Sequence, residues 1–390
     1  MLMLKIFLGF TLIAVLPSIY LFFRLNIKRT SKGLQSYFWL LPVGISIGLV
    51  YLSFIASGKF INTNESALGW FILLYFALVI PRLILSLILL ISTPLRKTYK
   101  GMTHPLIVVS FLVSVLMEGA LIYGTFIGRN NFQLKEFTYA SSEVPPGFDG
   151  YRIIQLSDLH VDSWRGNKRA LEQLVKLCNK QEADLIVFTG DLVSYRTADL
   201  DGFDAILSKL TAKDGVYSVL GNHDYGEYYR YWQSYTESVE SFYELLHRQE
   251  NMGWTLLNNE HVFLYQQNDS IALIGVENEG EPPFSQYGDL KKAMKGTEGC
   301  FQILLSHNPS HWRREVLPDS EIDLMLAGHT HAMQLEIFHK SPASWVYPEW
   351  QGAYYHGNRA LYVNIGAGEI GIPFRLGAWP EITLITLKHV

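Results

Sequence analysis

Four long apolar runs occupy residues 6–23, 37–56, 68–92 and 105–127. Each approaches the ~20 residues that an α-helix needs to cross a bilayer, which predicts four transmembrane helices within residues 1–128. The pattern then changes. From residue 133 the apolar runs shorten, and they predict strands at 133–140, 152–156, 184–189, 216–220, 270–276, 301–305, 322–327, 361–365 and 382–387. Leu171, Leu174, Val175 and Cys178 recur at helical spacing and predict a helix over 168–180, and 203–210 and 239–249 also read as helices. This alternation predicts an α/β fold, two sheets covered by helices. The chain divides into a membrane region (1–128), a linker and first strand (129–150) with a turn at Val144-Pro145-Pro146-Gly147, and a soluble domain (151–390).

Charge separates the same parts. Residues 1–128 carry ten Lys/Arg against two Glu, a net of +8, and the remainder carries 22 against 34, a net of -12. An acidic domain argues against nucleic acid as a partner, because such binders present a basic stripe. No small-residue cleavage site follows the first apolar run, where Pro17, Tyr20, Phe22 and Phe23 stand, so it reads as a retained span. Arg24, Lys28, Arg29 and Lys32 mark the first loop and Arg96, Lys97 and Lys100 the third, whereas the second has only Lys59. Basic loops face the cytoplasm, which places an integral protein of the inner or plasma membrane with its soluble domain on the extracytoplasmic side. Arg82 and Glu118 lie inside spans, and at ~1.5 Å per residue their depths agree to roughly 3 Å, so they are expected to face each other as a structural ion pair, the alternative being a lipid or ion pathway. Cys178 and Cys300 form no Cys-x-x-Cys motif and read as core residues.

The chemistry sits just past strand ends. The strand at 152–156 runs into Ser157-Asp158-Leu159-His160, that at 184–189 into Gly190-Asp191, and that at 216–220 into Gly221-Asn222-His223-Asp224. The strand at 301–305 runs into Ser306-His307-Asn308, and that at 322–327 into Gly328-His329-Thr330-His331. Ligands of α/β sheets bind in the crevice at the carboxyl ends of strands. Carboxylate, amide and imidazole donors suit manganese, iron(II), zinc or magnesium, and paired ions suit in-line displacement at phosphorus. Asp191 stands alone on its loop and is the candidate bridge between two ions. His223 lies beside a ligand without being needed as one, so it is a candidate to stabilise charge on a phosphate or to protonate a leaving oxygen. Asp224 could orient that imidazole or cap the next helix.

These ordered blocks resemble the calcineurin-like metallophosphoesterase family, over roughly residues 135–390. The resemblance implies a four-layer αββα sandwich, a dinuclear centre, most readily of manganese, and hydrolysis of phosphate esters. It also implies how the ligands divide: Asp158, His160 and His331 with Asp191 for one ion, and Asn222, His307 and His329 with Asp191 for the other. The segment from Asn364 to Ile382 looks like the membrane-associated bacterial branch. That branch often has two glycines after the last histidine. Here they are Ala332 and Met333, which are expected to narrow the pocket.

Around the site, Tyr225, Tyr228, Tyr229, Tyr231, Trp232 and Tyr235, and then Trp345, Tyr347, Trp350, Tyr354 and Tyr355, read either as an interfacial or acyl-gripping rim or as domain packing. Tyr225 and Arg375 are the candidate substrate contacts; Arg359 is a weaker one. His104, His247, His261, His311, His339, His356 and His389 read as surface or satisfied residues. The leading expectation is a membrane-anchored phosphoesterase, with the lipid bilayer and a phosphorylated lipid or small molecule as partners. The alternatives are a tethered hydrolase of soluble nucleotides or small phosphodiesters, a non-catalytic sensor or scaffold, and a nuclease that the acidic domain disfavours.

Overall fold

The computed structural model describes residues 2–55, 65–95 and 103–390, so Lys59, Arg96, Lys97 and Lys100 lie outside the described residues. The protein divides into two compact units, with the main boundary in the chain at Phe126.

The first unit is helical: α1 (Leu2–Arg24), α2 (Lys32–Ile55), α3 (Glu65–Leu95) and α4 (Thr103–Phe126). Among the described residues, two stretches, Leu68–Thr93 and Pro105–Asn130, are long and apolar enough to cross a membrane, and Leu8–Arg24 is a shorter apolar helix. Of the four expected spans, these two are supported by length and composition. Several polar side chains inside these helices meet backbone carbonyls, which apolar surroundings favour. The Tyr75 hydroxyl donates to Phe10 O at 2.7 Å and Ser86 Oγ to Pro17 O at 3.2 Å.

The expected Arg82–Glu118 ion pair is absent among the described residues. Helix α3 turns Arg82 toward α2, where Nη2 donates to Phe38 O at 3.4 Å and the guanidinium lies 5.1 Å from the Phe38 ring centroid. Both charged residues instead line one cavity of about 630 Å³ between α3 and α4. Matching depth was not enough, because each side chain's direction around its helix decides the partner.

The second unit carries two six-stranded sheets. Their strands are β1 (Gln133–Ser141), β2 (Arg152–Leu156), β3 (Leu185–Phe188), β4 (Val216–Ser218), β5 (Trp254–Leu256), β6 (Glu260–Gln266), β7 (Asp269–Gly275), β8 (Phe301–Leu305), β9 (Leu324–Ala327), β10 (Gly352–His356), β11 (Arg359–Val363) and β12 (Glu381–His389). One sheet has the order β1-β12-β2-β3-β4-β5, and the other β10-β11-β9-β8-β7-β6. The near-continuous apolar runs have a simple cause, because successive residues face opposite sides and both sides are covered. Ile153, Leu185, Val187, Leu273, Ile303 and Leu324 fill the space between the sheets. Their neighbours Ile154, Ile186 and Phe188 face a helix layer that includes α5 (Lys168–Asn179), with Leu171, Leu174 and Cys178 buried there. Ala272, Ile274, Leu304 and Met325 face the opposite layer with Trp312 and Leu290. Alternate strand residues thus feed three apolar layers, the αββα order.

The expected helix at 203–210 shrinks to one turn, Asp204–Leu207, while that at 239–249 extends to Tyr235–Asn251, started by Ser234 accepting from Glu237 N. Strands β5, β6 and β10 were not expected. The first is three residues long, and the others are largely half-buried or exposed, so their hydrophobic alternation is weak.

Candidate metal centre

The parallel neighbours β2 and β3 end side by side in one sheet, and β8 and β9 in the other, and donors from the loops that follow all four converge. At these turns Asp158, His160, Asp191, His329 and His331 all adopt left-handed backbone, with φ of 51°, 40°, 61°, 75° and 49°. Such conformations in non-glycine residues are held only where the surroundings over-determine them, and they cluster at functional sites. Two glycines let the loops approach. A Cβ on Gly221 would overlap the Asp191 carboxylate, and one on Gly328 would overlap Ser157 Oγ and Asp158 Oδ2.

The structure brings together six of the seven residues expected as ligands. Two tight clusters of donors form, Asp158 with His160 and His331, and Asp191 with His307 and His329. In the first, the Nε2 atoms of His160 and His331 are 3.1 Å apart and Asp158 Oδ1 is 3.3 Å from His331 Nε2. In the second, His307 Nε2 lies 3.1 Å from Asp191 Oδ2 and 3.2 Å from His329 Nδ1. Asp191 Oδ2 also lies 3.6 Å from His160 Nε2, so this one oxygen faces both clusters. Its other oxygen is taken by the His223 amide at 2.8 Å. Asn222, the seventh, belongs to neither cluster; its Oδ1 is buried with no hydrogen-bond partner, and its Nδ2 donates to the Tyr228 hydroxyl at 3.0 Å.

Neighbouring groups orient the rings. His307 Nδ1–H donates to Thr189 O at 2.7 Å, which turns Nε2 toward Asp191 and His329. His160 Nδ1 meets Ser194 Oγ at 3.2 Å, and that hydroxyl donates to Asp162 Oδ1 at 2.5 Å. Such outer partners set tautomer and ring direction at metal sites. His329 Nε2 meets the Tyr347 hydroxyl at 2.9 Å, and Phe284 packs edge-on against that ring. Burial would raise Asp191, but the neighbouring His307 and His223 hold it well below the carboxylate range. Burial would lower His307, yet Asp191 beside it pushes it up to about 9. Burial and then the charge of His307 push His329 down to about 3.

The donor set fits divalent cations. Asp158 Oδ1 and Asn222 Oδ1 are buried oxygens with no hydrogen-bond partner. Imidazole nitrogens that converge within 3.2 Å need a shared cation or proton. Hard oxygen and imidazole donors suit manganese, iron, zinc or magnesium.

Other expected site residues lie elsewhere or act differently. Asp224 does not hold the His223 imidazole. Its Oδ1 accepts from the amides of Leu192 and Val193, and its Oδ2 from those of Asp191 and Gly221, at 2.8–3.2 Å. It therefore ties the Asp191 and Gly221 loops together, and four donors favour its ionised form although burial and Asp191 push it up to about 7. His223 is held instead by Ser194 O, 2.6 Å from Nδ1, and stacks on Tyr228 at 4.3 Å between ring centroids. Asp224→Asn would point an NH₂ at two backbone amides, and an expected destabilisation of about 2–4 kcal/mol should appear as a lower midpoint in denaturant melts.

Arg375 is not a substrate contact. It is fully buried, and it donates to the carbonyls of Gly368, Ala378 and Ile365 while Nη2 stands 3.0 Å from His331 Nδ1. Tyr225 points away from the ligands, toward Glu277 and Phe242. Arg359 donates to the carbonyls of Ile322, Leu317 and Val316. Ala332 packs against Ile365 and Ala378, and Met333 is exposed, so neither narrows a pocket. The departure is in the backbone, since both residues sit at left-handed φ of 48° and 45°, which costs roughly 1–2 kcal/mol per residue without a glycine. Sequence reasoning missed Phe284, Ser194 and Asp162. It named Tyr228 and Tyr347 only as members of aromatic stretches.

The calcineurin-like phosphoesterase family model matches residues 151–333. The chain belongs to the calcineurin-like metallophosphoesterases, enzymes that hydrolyse phosphoesters and use divalent metals. It is 31% identical over 280 residues to the uncharacterized metallophosphoesterase YkuE of Bacillus subtilis, covering 69% of this chain and 90% of that one. A zebrafish (Danio rerio) protein named transmembrane protein with metallophosphoesterase domain is 27% identical over 384 residues, 94% of this chain and 84% of that one. The bovine (Bos taurus) protein of the same name is 32% identical over 260 residues, 63% and 54% of the two chains.

Proposed function

We propose that this chain is a membrane-anchored phosphoesterase with a dinuclear centre, hydrolysing a phosphate ester or pyrophosphate carried by a lipid or lipid-linked molecule. The observation that carries the reading is Asp191 Oδ2, one buried oxygen facing two clusters of donors. Asp158, His160 and His331 would share one ion with Asp191, and Asn222, His307 and His329 the other. Two such ions, most readily manganese, supply a nucleophile at neutral pH and draw charge from the phosphoryl oxygens. The protein's own part is positional. Ser194 O holds His223 through Nδ1, so Nε2 is the ring nitrogen that would pass a proton to the leaving oxygen.

Two bilayer-length apolar helices, and relatives named as transmembrane proteins, support membrane anchoring. Exposed Leu87, Leu90, Phe111 and Leu116 on those helices suit hydrocarbon surroundings. Four spans, with Arg24, Lys28, Arg29 and Lys32 in a cytoplasmic loop, would put the catalytic domain on the extracytoplasmic side.

The test uses the full chain in nanodiscs with manganese. A phosphate lipid and a lipid-linked pyrophosphate in the bilayer are compared with nucleotides and an aryl phosphate in solution. The expected result is at least about tenfold higher kcat/KM for a bilayer substrate, since remote binding energy from the lipid portion favours it. Cleavage of soluble esters alone would establish a tethered soluble hydrolase. No metal-dependent cleavage of any of them would leave a sensor or scaffold.

A further inference from the structure

Large apolar side chains are scarce on the surface of the soluble unit, with one exception. Apart from tyrosines, exposed large hydrophobics between residues 129 and 390 are Leu134, Leu177 and Val390, scattered, and then Met333, Ile337, Phe338, Trp345 and Val346 within 14 residues. Phe338 is 92% exposed and Trp345 86%. This segment is a built projection. The turns His331–Gln334 and Pro342–Trp345 pack on each other at its base, where Ser341 Oγ donates to Ala332 O at 2.6 Å. Leu376 N donates to Gln334 O at 3.0 Å and Glu336 N to Leu376 O at 2.8 Å, tying the base to the domain. At the tip, Ile337 and Lys340 exchange both backbone hydrogen bonds, at 2.9 and 3.1 Å.

The two residues between them, Phe338 and His339, both have positive φ, 51° and 59°. Tight hairpin tips of this kind normally take Asn-Gly or Asp-Gly, and a bulky aromatic there is strained. The fold thus holds an unburied phenylalanine in an unfavourable conformation at the end of a braced hairpin. Packing within the domain gives no reason for it. The hairpin is also short-wired to the metal centre, beginning two residues after His331 and returning to Tyr347, whose hydroxyl meets His329 Nε2.

We propose that this hairpin is a membrane-contacting edge of the metal centre, with Ile337, Phe338, Trp345 and Val346 entering the bilayer surface. The occupant follows from chemistry on the same chain. Trp and Phe beside aliphatic residues, with Lys340 and His339 at the tip, match the composition of interfacial anchors. A chain with two bilayer-length helices supplies the surface. The inference rests on the membrane-anchored reading above and adds where the site meets lipid: phosphate groups at the headgroup level, attached to apolar chains, would reach the centre beside the hairpin.

The test places an environment-sensitive fluorophore at position 338 (Phe338→Cys in a Cys300→Ser background; Cys178 is buried) in the full chain in anionic nanodiscs. A control carries it at Tyr265→Cys, an exposed position on β6. Spin-labelled lipids are expected to reduce emission at 338 at least about twofold and leave 265 unchanged. In parallel, the double variant Phe338→Glu with Trp345→Glu should keep its turnover of a soluble aryl phosphate and lose about tenfold on a bilayer phosphate lipid. No quenching at 338 overturns the proposal, and a shielded but unquenched probe would mean that a second copy of the chain covers the hairpin. Cleavage of the phosphate lipid without quenching sinks the hairpin while leaving the lipid-substrate reading intact. Quenching with no lipid phosphate cleaved supports the hairpin and removes that reading.

Discussion

Asp191→Asn is expected to lower metal-dependent phosphoesterase turnover by roughly 10³-fold or more, because it removes charge stabilisation from both halves of the centre. The carboxylate is shared. Its Oδ2 faces His307 and His160, and its Oδ1 receives the His223 amide. An amide of the same shape keeps an oxygen for one of these tasks and puts NH₂ at the other. If the oxygen stays toward His223 N, the NH₂ faces the donors and cannot bind a cation. If it turns, the NH₂ meets an N–H. Either way at least one ion should be held weakly. The measurement is metal content per chain beside turnover in the same purified sample. Two ions in the wild type and one or none in the variant, with an unchanged circular dichroism spectrum, is the expected pattern. A variant that keeps both ions and most of its turnover would remove Asp191 as the bridge.

His223→Ala is expected to separate metal binding from proton transfer. The ring is held from outside, by Ser194 O on Nδ1 and by Tyr228 stacked 4.3 Å away, and neither of the two donor clusters includes it. Metal content should therefore stay at the wild-type level. Turnover should fall by about 10²–10⁴-fold, the usual worth of a positioned general acid. The loss should depend on the leaving group, being large for an alkyl phosphate and small for a nitrophenyl phosphate, which departs without help. An equal loss on both substrates would mean that His223 binds the phosphate instead of delivering a proton.

Much of this centre was legible because each donor directly follows an apolar strand, and parallel neighbouring strands bring their ends together. Asp158, Asp191, His307, His329 and His331 sit on such ends, so position along the chain translated into position in space. What remained hidden was direction. Asp224 adjoins His223 in sequence, yet the turn carries its carboxylate beneath four amides. Tyr225 and Tyr228 share one irregular segment, and only the second meets Asn222. Arg375 carries a charge that suits phosphate, but it is buried among carbonyls. Arg82 matched Glu118 in depth and turned to Phe38. The half-exposed strands β6 and β10 gave too little alternation to be recognised.

Strand β12 pairs in parallel with β1 on one side and antiparallel with β2 on the other. Residues 381–389 thus lie between segments made some 230 to 250 positions earlier, counted on the residue numbers themselves. During synthesis the helices can enter a bilayer long before that wedge exists. Until it arrives, β1 has no hydrogen-bonding neighbour, since none of the other strands pairs with it. The soluble unit is therefore obliged to finish folding after its anchor is already in place, and it must be kept from aggregating through two open strand edges in the meantime.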